Sequence, residues 1–194
     1  MTSLTENCPS FPASSFSPNN SAGTFAKWGT MKILVVDDEP VNVALLEGTL
    51  ADNGYTRVHS LVDSRLALEV SKTFQPDLIL LDLMMPHVDG LTILEALRSQ
   101  EAEIFLPVLV LTADANDETR LRALRAGATD FLLKPFDQIE VLLRINNLLE
   151  IRRLHLLLDN KRAAFEDAVQ ARTSDLRDAQ LELEKNRHSS ALNA

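Results

Sequence analysis

The chain has 194 residues, 45% of them hydrophobic and 5% aromatic, with a formal net charge of −9. That length allows one sizeable domain plus appendages, and the negative charge argues against bulk binding to nucleic-acid phosphates or anionic membrane surfaces, both of which recruit cations. No apolar run approaches the roughly 20 residues that span a bilayer, no basic-then-apolar leader opens the chain, and Cys8 alone makes no disulfide framework, so a reducing cytoplasm is the expected setting.

Residues 1–30 are rich in Ser, Pro and Asn and show neither a helical nor a strand period. They read as a disordered tail, in which Phe25 and Trp28 are candidates for docking a partner. Met31 directly precedes the first strand and is a candidate natural start. From there apolar runs alternate with helical patterns. Strands are expected at about 32–36, 56–60, 77–81, 107–111 and 129–133, and helices at about 40–53, 64–73, 90–101 and 117–126. The first helix buries Val43, Leu46 and Leu50, and Asn53-Gly54 stops it. Asp63 reads as an N-cap, Leu91, Leu94 and Leu97 face inward, and Gly127 reads as a C-cap. Five βα units of this length predict an α/β domain over 31–149, a flavodoxin-like, doubly wound parallel sheet in the order 2-1-3-4-5.

Every strand but the second ends on a polar group. Ile33-Leu34-Val35-Val36 leads into Asp37-Asp38. Asp77-Leu78-Ile79-Leu80-Leu81 leads into Asp82, before a turn-like stretch containing Pro86 and Gly90. Val108-Leu109-Val110-Leu111 leads into Thr112, and Phe131-Leu132-Leu133 into Lys134-Pro135. In an open parallel sheet the carboxyl ends of the strands converge on one crevice, where ligands bind. A carboxylate at the end of a buried strand needs a cation, donors or a reaction. Three carboxylates with no nearby His or Cys make a hard-oxygen site suited to Mg²⁺. Asp82 can act as a nucleophile and form an acyl phosphate. Lys134 can draw charge from a transferring phosphoryl group, and Thr112 can donate to one of its oxygens.

The ordered set Asp37-Asp38, Asp82, Met85-Pro86, Gly90, Thr112-Ala113 and Lys134-Pro135 resembles the response regulator receiver domain of two-component signalling, over about Met31 to Leu149. The resemblance implies that Asp82 accepts phosphorus from a phosphohistidine on a sensor histidine kinase or a histidine phosphotransfer protein. It implies an Mg²⁺ site in which Asp38 ligates directly, Asp37 acts through water or shares the site, and Met84 offers its backbone carbonyl while its side chain partly covers the pocket mouth. Thr112, Ala113 and Lys134 would bind the phosphoryl group, with Lys134 pairing Asp82 at rest and a cis bond before Pro135. Thr112 and Phe131 would form the switch. Phe131 lacks the hydroxyl with which a tyrosine there would hold its outward pose. The chain is expected to be a phosphoacceptor rather than an enzyme.

After Pro135 the chain turns helical. From about Gln138 to Arg187 it contains no Pro and no Gly. A seven-residue register runs through Leu148, Ile151, His155, Leu158, Arg162, Phe165, Val169, Arg172, Leu176, Ala179 and Leu183. It predicts a coiled coil over 150–188 that pairs two copies of the chain, before a short disordered tail at 189–194. The alternative is an amphipathic helix folded back on its own domain. No helix-turn-helix or basic recognition helix follows, so no DNA-binding output is expected. The stretches Leu149–His155 and Ala171–Glu182 resemble the linker after receivers in HD-GYP-type cyclic-di-GMP phosphodiesterases. The His-Asp dipeptide and Gly-Tyr-Pro of that enzyme are absent, so the second reading is a regulatory fragment without its catalytic domain.

Overall fold

The computed structural model describes residues 29–100 and 105–192. The expected tail at 1–30, with Cys8, Phe25 and Trp28, therefore lies almost wholly outside the described residues. The elements follow in strict alternation: β1 (Lys32–Val36), α1 (Pro40–Asp52), β2 (Arg57–Leu61), a short 3₁₀ turn (Ser64–Leu66) leading into α2 (Ala67–Phe74), β3 (Leu78–Asp82), α3 (Gly90–Gln100), β4 (Val108–Thr112), α4 (Asp117–Arg125), β5 (Asp130–Leu133) and α5 (Gln138–Leu192). The five strands are parallel and lie in the order β2-β1-β3-β4-β5.

The strands are apolar without alternation because both sheet faces are covered. Ile33, Val35, Leu78, Leu80, Leu109 and Leu111 point to the side that Leu46 and Leu50 of α1 and Val141, Ile145 and Leu149 of α5 close. Leu34, Val36, Ile79, Leu81, Val108 and Val110 point to the other, closed by Ile93, Leu94 and Leu97 of α3 and Ala123 of α4. Ile93, rather than Leu91, is the fully buried member of the first turn of α3.

Local signals set the element ends. Pro40 opens α1, where its missing N–H has no helical partner to lose. Asp63 accepts from the Arg65 backbone N–H, so it caps the 3₁₀ turn rather than α2 itself. Asn116 caps α4 through Glu118 N–H. Gly127 follows α4 with φ of +102°, a conformation that favours glycine.

α5 begins at Gln138, as expected, but departs from expectation past Leu149 and at its outer end. The receiver segment was expected to finish at 149, yet α5 stays docked for two further turns. Arg152 is buried, donates to the Phe105 carbonyl at 2.6 Å and lies 3.5 Å from the Asp77 carboxylate. His155 stacks on the Phe105 ring with centroids 4.2 Å apart. The helix then continues through Leu192, so residues 189–192 are helical rather than part of the expected tail, since nothing before that point breaks a helix. Among the described residues no helix is long and apolar enough to cross a membrane.

Arg152→Ala should remove a buried donor and leave the Phe105 carbonyl without this partner. Urea unfolding should show a loss of about 1–3 kcal/mol, against no more than about 0.5 kcal/mol for a change at exposed Arg177.

Candidate functional site

Register places the polar strand ends side by side. Val36 is level with Leu61 on one side and Leu81 on the other, Asp82 with Leu111, and Thr112 with Leu133. The residues just past these points therefore meet at one edge. Asp37 extends β1 by one more bond, its N–H donating to the Leu61 carbonyl. Its side chain is fully buried. One carboxylate oxygen accepts from Glu39 N–H at 3.0 Å and Asn42 Nδ2 at 3.1 Å, and the other from Lys134 Nζ at 2.7 Å.

Lys134 reaches across to Asp82 as well, with Nζ 2.6 Å from Oδ2. Its own backbone N–H donates to the Thr112 carbonyl at 2.8 Å, and the Lys134–Pro135 peptide bond is cis. The other Asp82 oxygen accepts from Met84 N–H at 3.2 Å. Carboxylate oxygens of Asp37, Asp38 and Asp82 all lie within 4.8 Å of one another. Met84 is 65% exposed, so its side chain projects outward beside this cluster. Thr112 is buried, and its hydroxyl accepts from Asp114 N–H at 3.1 Å while keeping its own proton to donate. Ala113 is exposed beside it.

Burial pushes the Asp82 carboxyl above its usual range, and the nearby Asp37 charge adds to this. The Lys134 hydrogen bond and charge and the Met84 N–H oppose the shift without cancelling it. For Lys134 burial alone would favour the neutral amine, but its hydrogen bonds to Asp37 and Asp82 and their charges outweigh that, so its net shift is upward. Three carboxylates against one ammonium leave a surplus of negative charge if all are ionised. The donors are all hard oxygens, so this set fits a divalent ion such as Mg²⁺ and suits neither zinc nor copper.

Phe131 sits half-buried on β5, and the Arg120 guanidinium lies 4.2 Å above its ring. This cation–π contact holds the outer face of Phe131. It is a tie that the sequence reading did not foresee, because Arg120 belongs to a different element and its spacing carries no signal. Asn42 was also missed, although its place one turn into α1 puts it within reach of Asp37.

Because the native state holds Asp82's proton more tightly than the unfolded chain does, this group's contribution favours the fold at acid pH. The contribution declines as pH rises from the unfolded value of 3.8 through the raised native one. Asp82→Asn, in the absence of divalent ions, should therefore stabilise the protein at about pH 7.5. The gain should shrink toward acid pH in urea unfolding curves. A loss of stability at neutral pH would mean that the Lys134 pair outweighs burial.

The family model described as the response regulator receiver domain matches residues 33–146. The DNA-binding dual master transcriptional regulator RpaA of Synechocystis is 41% identical over 118 residues, 61% of this chain and 48% of that protein. The response regulator PleD of Caulobacter vibrioides is 38% identical over 131 residues, 68% of this chain and 28% of that protein. This chain thus spans half or less of the length of these relatives. Among solved structures, the receiver domain of the Francisella response regulator 1452 superposes with a TM-score of 0.57 at 32% identity, over 62% of this chain and 97% of that one. The Vibrio cholerae chemotaxis protein CheY4 gives a TM-score of 0.57 at 32% identity, over 61% and 98%. With the sheet order and this match over more than half its length, the chain belongs to the response regulator receiver domain family of two-component signalling.

Proposed function

We infer that the chain is a phosphoryl-accepting switch in which Asp82 is the acceptor. The observation that carries this reading is the Lys134 ammonium spanning Asp37 at 2.7 Å and Asp82 at 2.6 Å beside the third carboxylate, Asp38. An Asp82 oxygen attacks the phosphorus of a phosphohistidine on a sensor histidine kinase or histidine phosphotransfer protein. The new P–O bond replaces the P–N bond, and the imidazole keeps the electron pair and takes up a proton. Asp37, Asp38, Asp82 and the Met84 backbone carbonyl would hold Mg²⁺. The ion would supply neutralisation of the charge on the phosphoryl oxygens. Lys134 orients Asp82 before transfer and then binds a phosphoryl oxygen, together with the Thr112 hydroxyl and the Ala113 N–H. Thr112 moving toward the phosphoryl group vacates space into which Phe131 rotates, leaving Arg120 to be released from its ring.

The output in this reading is α5 itself, acting in the cytoplasm with no DNA contact. Ile151, Leu158, Phe165, Val169 and Leu176 lie between 40% and 70% exposed on that helix. A 55-residue helix is about 80 Å long, and from Leu157 onward its residues whose burial is described are exposed. A second copy aligned in parallel would cover this stripe as a coiled coil. The expected seam changes at its start, because Leu148 is already buried in the domain core and His155 is turned onto Phe105. The paired stretch thus begins near Leu158, and Arg162 within it is tied to Glu166 at 2.8 Å. The continuity of α5 across Leu149–His155 and Ala171–Glu182 also suits the second reading, a regulatory fragment of an HD-GYP-type cyclic-di-GMP phosphodiesterase. An open reading frame continuing into His-Asp and Gly-Tyr-Pro motifs would favour that second reading.

Incubation with acetyl phosphate and Mg²⁺ should place a labile adduct on Asp82, seen by intact mass and by borohydride trapping. The adduct should be absent in Asp82→Asn and without metal. A wild type that stays unlabelled under saturating donor and metal refutes the acceptor role.

In the full chain, Phe165→Asp should abolish or weaken the dimer by at least tenfold in Kd, about 1.4 kcal/mol, as read by sedimentation. Receiver labelling should be unaffected. A wild type that remains monomeric at all concentrations removes the coil from the mechanism.

A further inference from the structure

The turn between Asp82 and α3 is tied down at its two ends by local bonds from its own backbone N–H groups. Met84 N–H donates to the Asp82 carboxylate at 3.2 Å, and Gly90 N–H to the Leu83 carbonyl at 2.9 Å. Gly90 is required there: a Cβ on it would stand 2.1 Å from the Asp82 carbonyl oxygen. The middle of the turn closes on itself too, Val88 N–H donating to the Pro86 carbonyl at 3.0 Å around His87, which is left-handed with φ of 72°. The same two groups are also gripped from another connection. Ser64, buried at 3% exposure between β2 and α2, donates its hydroxyl to the Pro86 carbonyl at 2.9 Å and accepts from Val88 N–H at 3.3 Å. One hydroxyl thus uses both its donor and its acceptor capacity on one turn. Ser64 is itself fixed, because Asp63 caps the turn it belongs to and the Ala67 N–H donates to the Ser64 carbonyl.

The geometry points to Ser64 as a positioning residue for the divalent-cation site, setting through Pro86 and Val88 where the Met84 carbonyl stands beside Asp38 and Asp82. This rests on the reading of the site given under Proposed function. Met84 lies two residues before the carbonyl that Ser64 grips, on the exposed side of the cluster, and has no packed side chain to steady it. Asp37 and Asp82, by contrast, are locked by Lys134 whether or not Ser64 is present. Loss of the hydroxyl therefore loosens one ligand of the set and spares the others. Mg²⁺ demands near-ideal octahedral geometry, whereas Ca²⁺ accepts looser and more variable coordination. The effect should be larger for Mg²⁺.

Titration calorimetry of the full chain tests this. Ser64→Ala should raise the Mg²⁺ Kd about tenfold and the Ca²⁺ Kd by a clearly smaller factor. Ser64→Cys, whose thiol is a weak donor and acceptor of similar shape, should fall between Ala and wild type. If both variants leave the Mg²⁺ Kd within about twofold of wild type, or weaken both ions equally, the positioning role is overturned, whatever happens to the melting temperature. Should Ser64→Ala fail to fold, Ser64→Cys decides by the same criteria. A wild type that binds neither ion refutes the site reading instead, which separates the two failures.

Discussion

One partly buried ammonium holds together the polar edge of this sheet. Lys134 is the counter-ion for two carboxylates on different strands, one of them fully buried. An acid so placed without a cation would either lose its charge or pull water into the domain. The bridge therefore does two jobs at once. It makes ionised Asp37 and Asp82 tolerable in the resting fold, and it keeps them close enough that a further cation gains from both. Burial nonetheless leaves Asp82 holding its proton more tightly than an ordinary aspartate does, and the nearby Asp37 charge adds to this. A group that is destabilised as a free carboxylate gains from any chemistry that gives its charge a better environment.

The sheet makes this arrangement possible without further devices. Parallel strands with matched register deliver their carboxyl ends to one edge, and the apolar run within each strand leaves the polar group at its end nowhere else to go. The turns beyond the strands add the precision. Gly90 lets α3 start against the backbone of Asp82, and Asn42 and Glu39 N–H occupy the Asp37 oxygen that Lys134 does not. Ser64 reaches the turn from a separate connection. Each strand-end residue is thus oriented by a neighbour outside its own strand.

That division explains what could be read from the chain. Asp37, Asp82, Thr112 and Lys134 were legible because each closes an apolar run of strand length, and run length is a local property of sequence. The strand order followed from the βα alternation and its length. Contacts between elements left no such mark. Arg120 on Phe131, Ser64 on Pro86 and Val88, and Arg152 on Phe105 all join residues that no period connects. The seam of α5 was misplaced at its start for the same reason. A heptad pattern records that Leu148 and His155 are on one face, but it cannot say that the domain, not a second helix, covers that face.

The position of Arg152 bears on how a change at Asp82 reaches α5. Asp77 lies just before β3 and Asp82 ends it, so a single strand of about 17 Å carries the helix's ionic partner at one end and Asp82 at the other. α5 runs along the adjacent face, from Val141 and Leu142 to Leu148 and Leu149, and is then pinned at the base by Arg152 and His155. A rearrangement confined to the Thr112 edge cannot simply slide α5 along the sheet, since its far end is anchored. It must tilt or roll the helix about that anchor, and a rigid helix turns a small tilt at its root into a large displacement further out. The exposed apolar stripe runs outward from Leu158, beyond the anchor, so the displacement such a tilt produces grows along it.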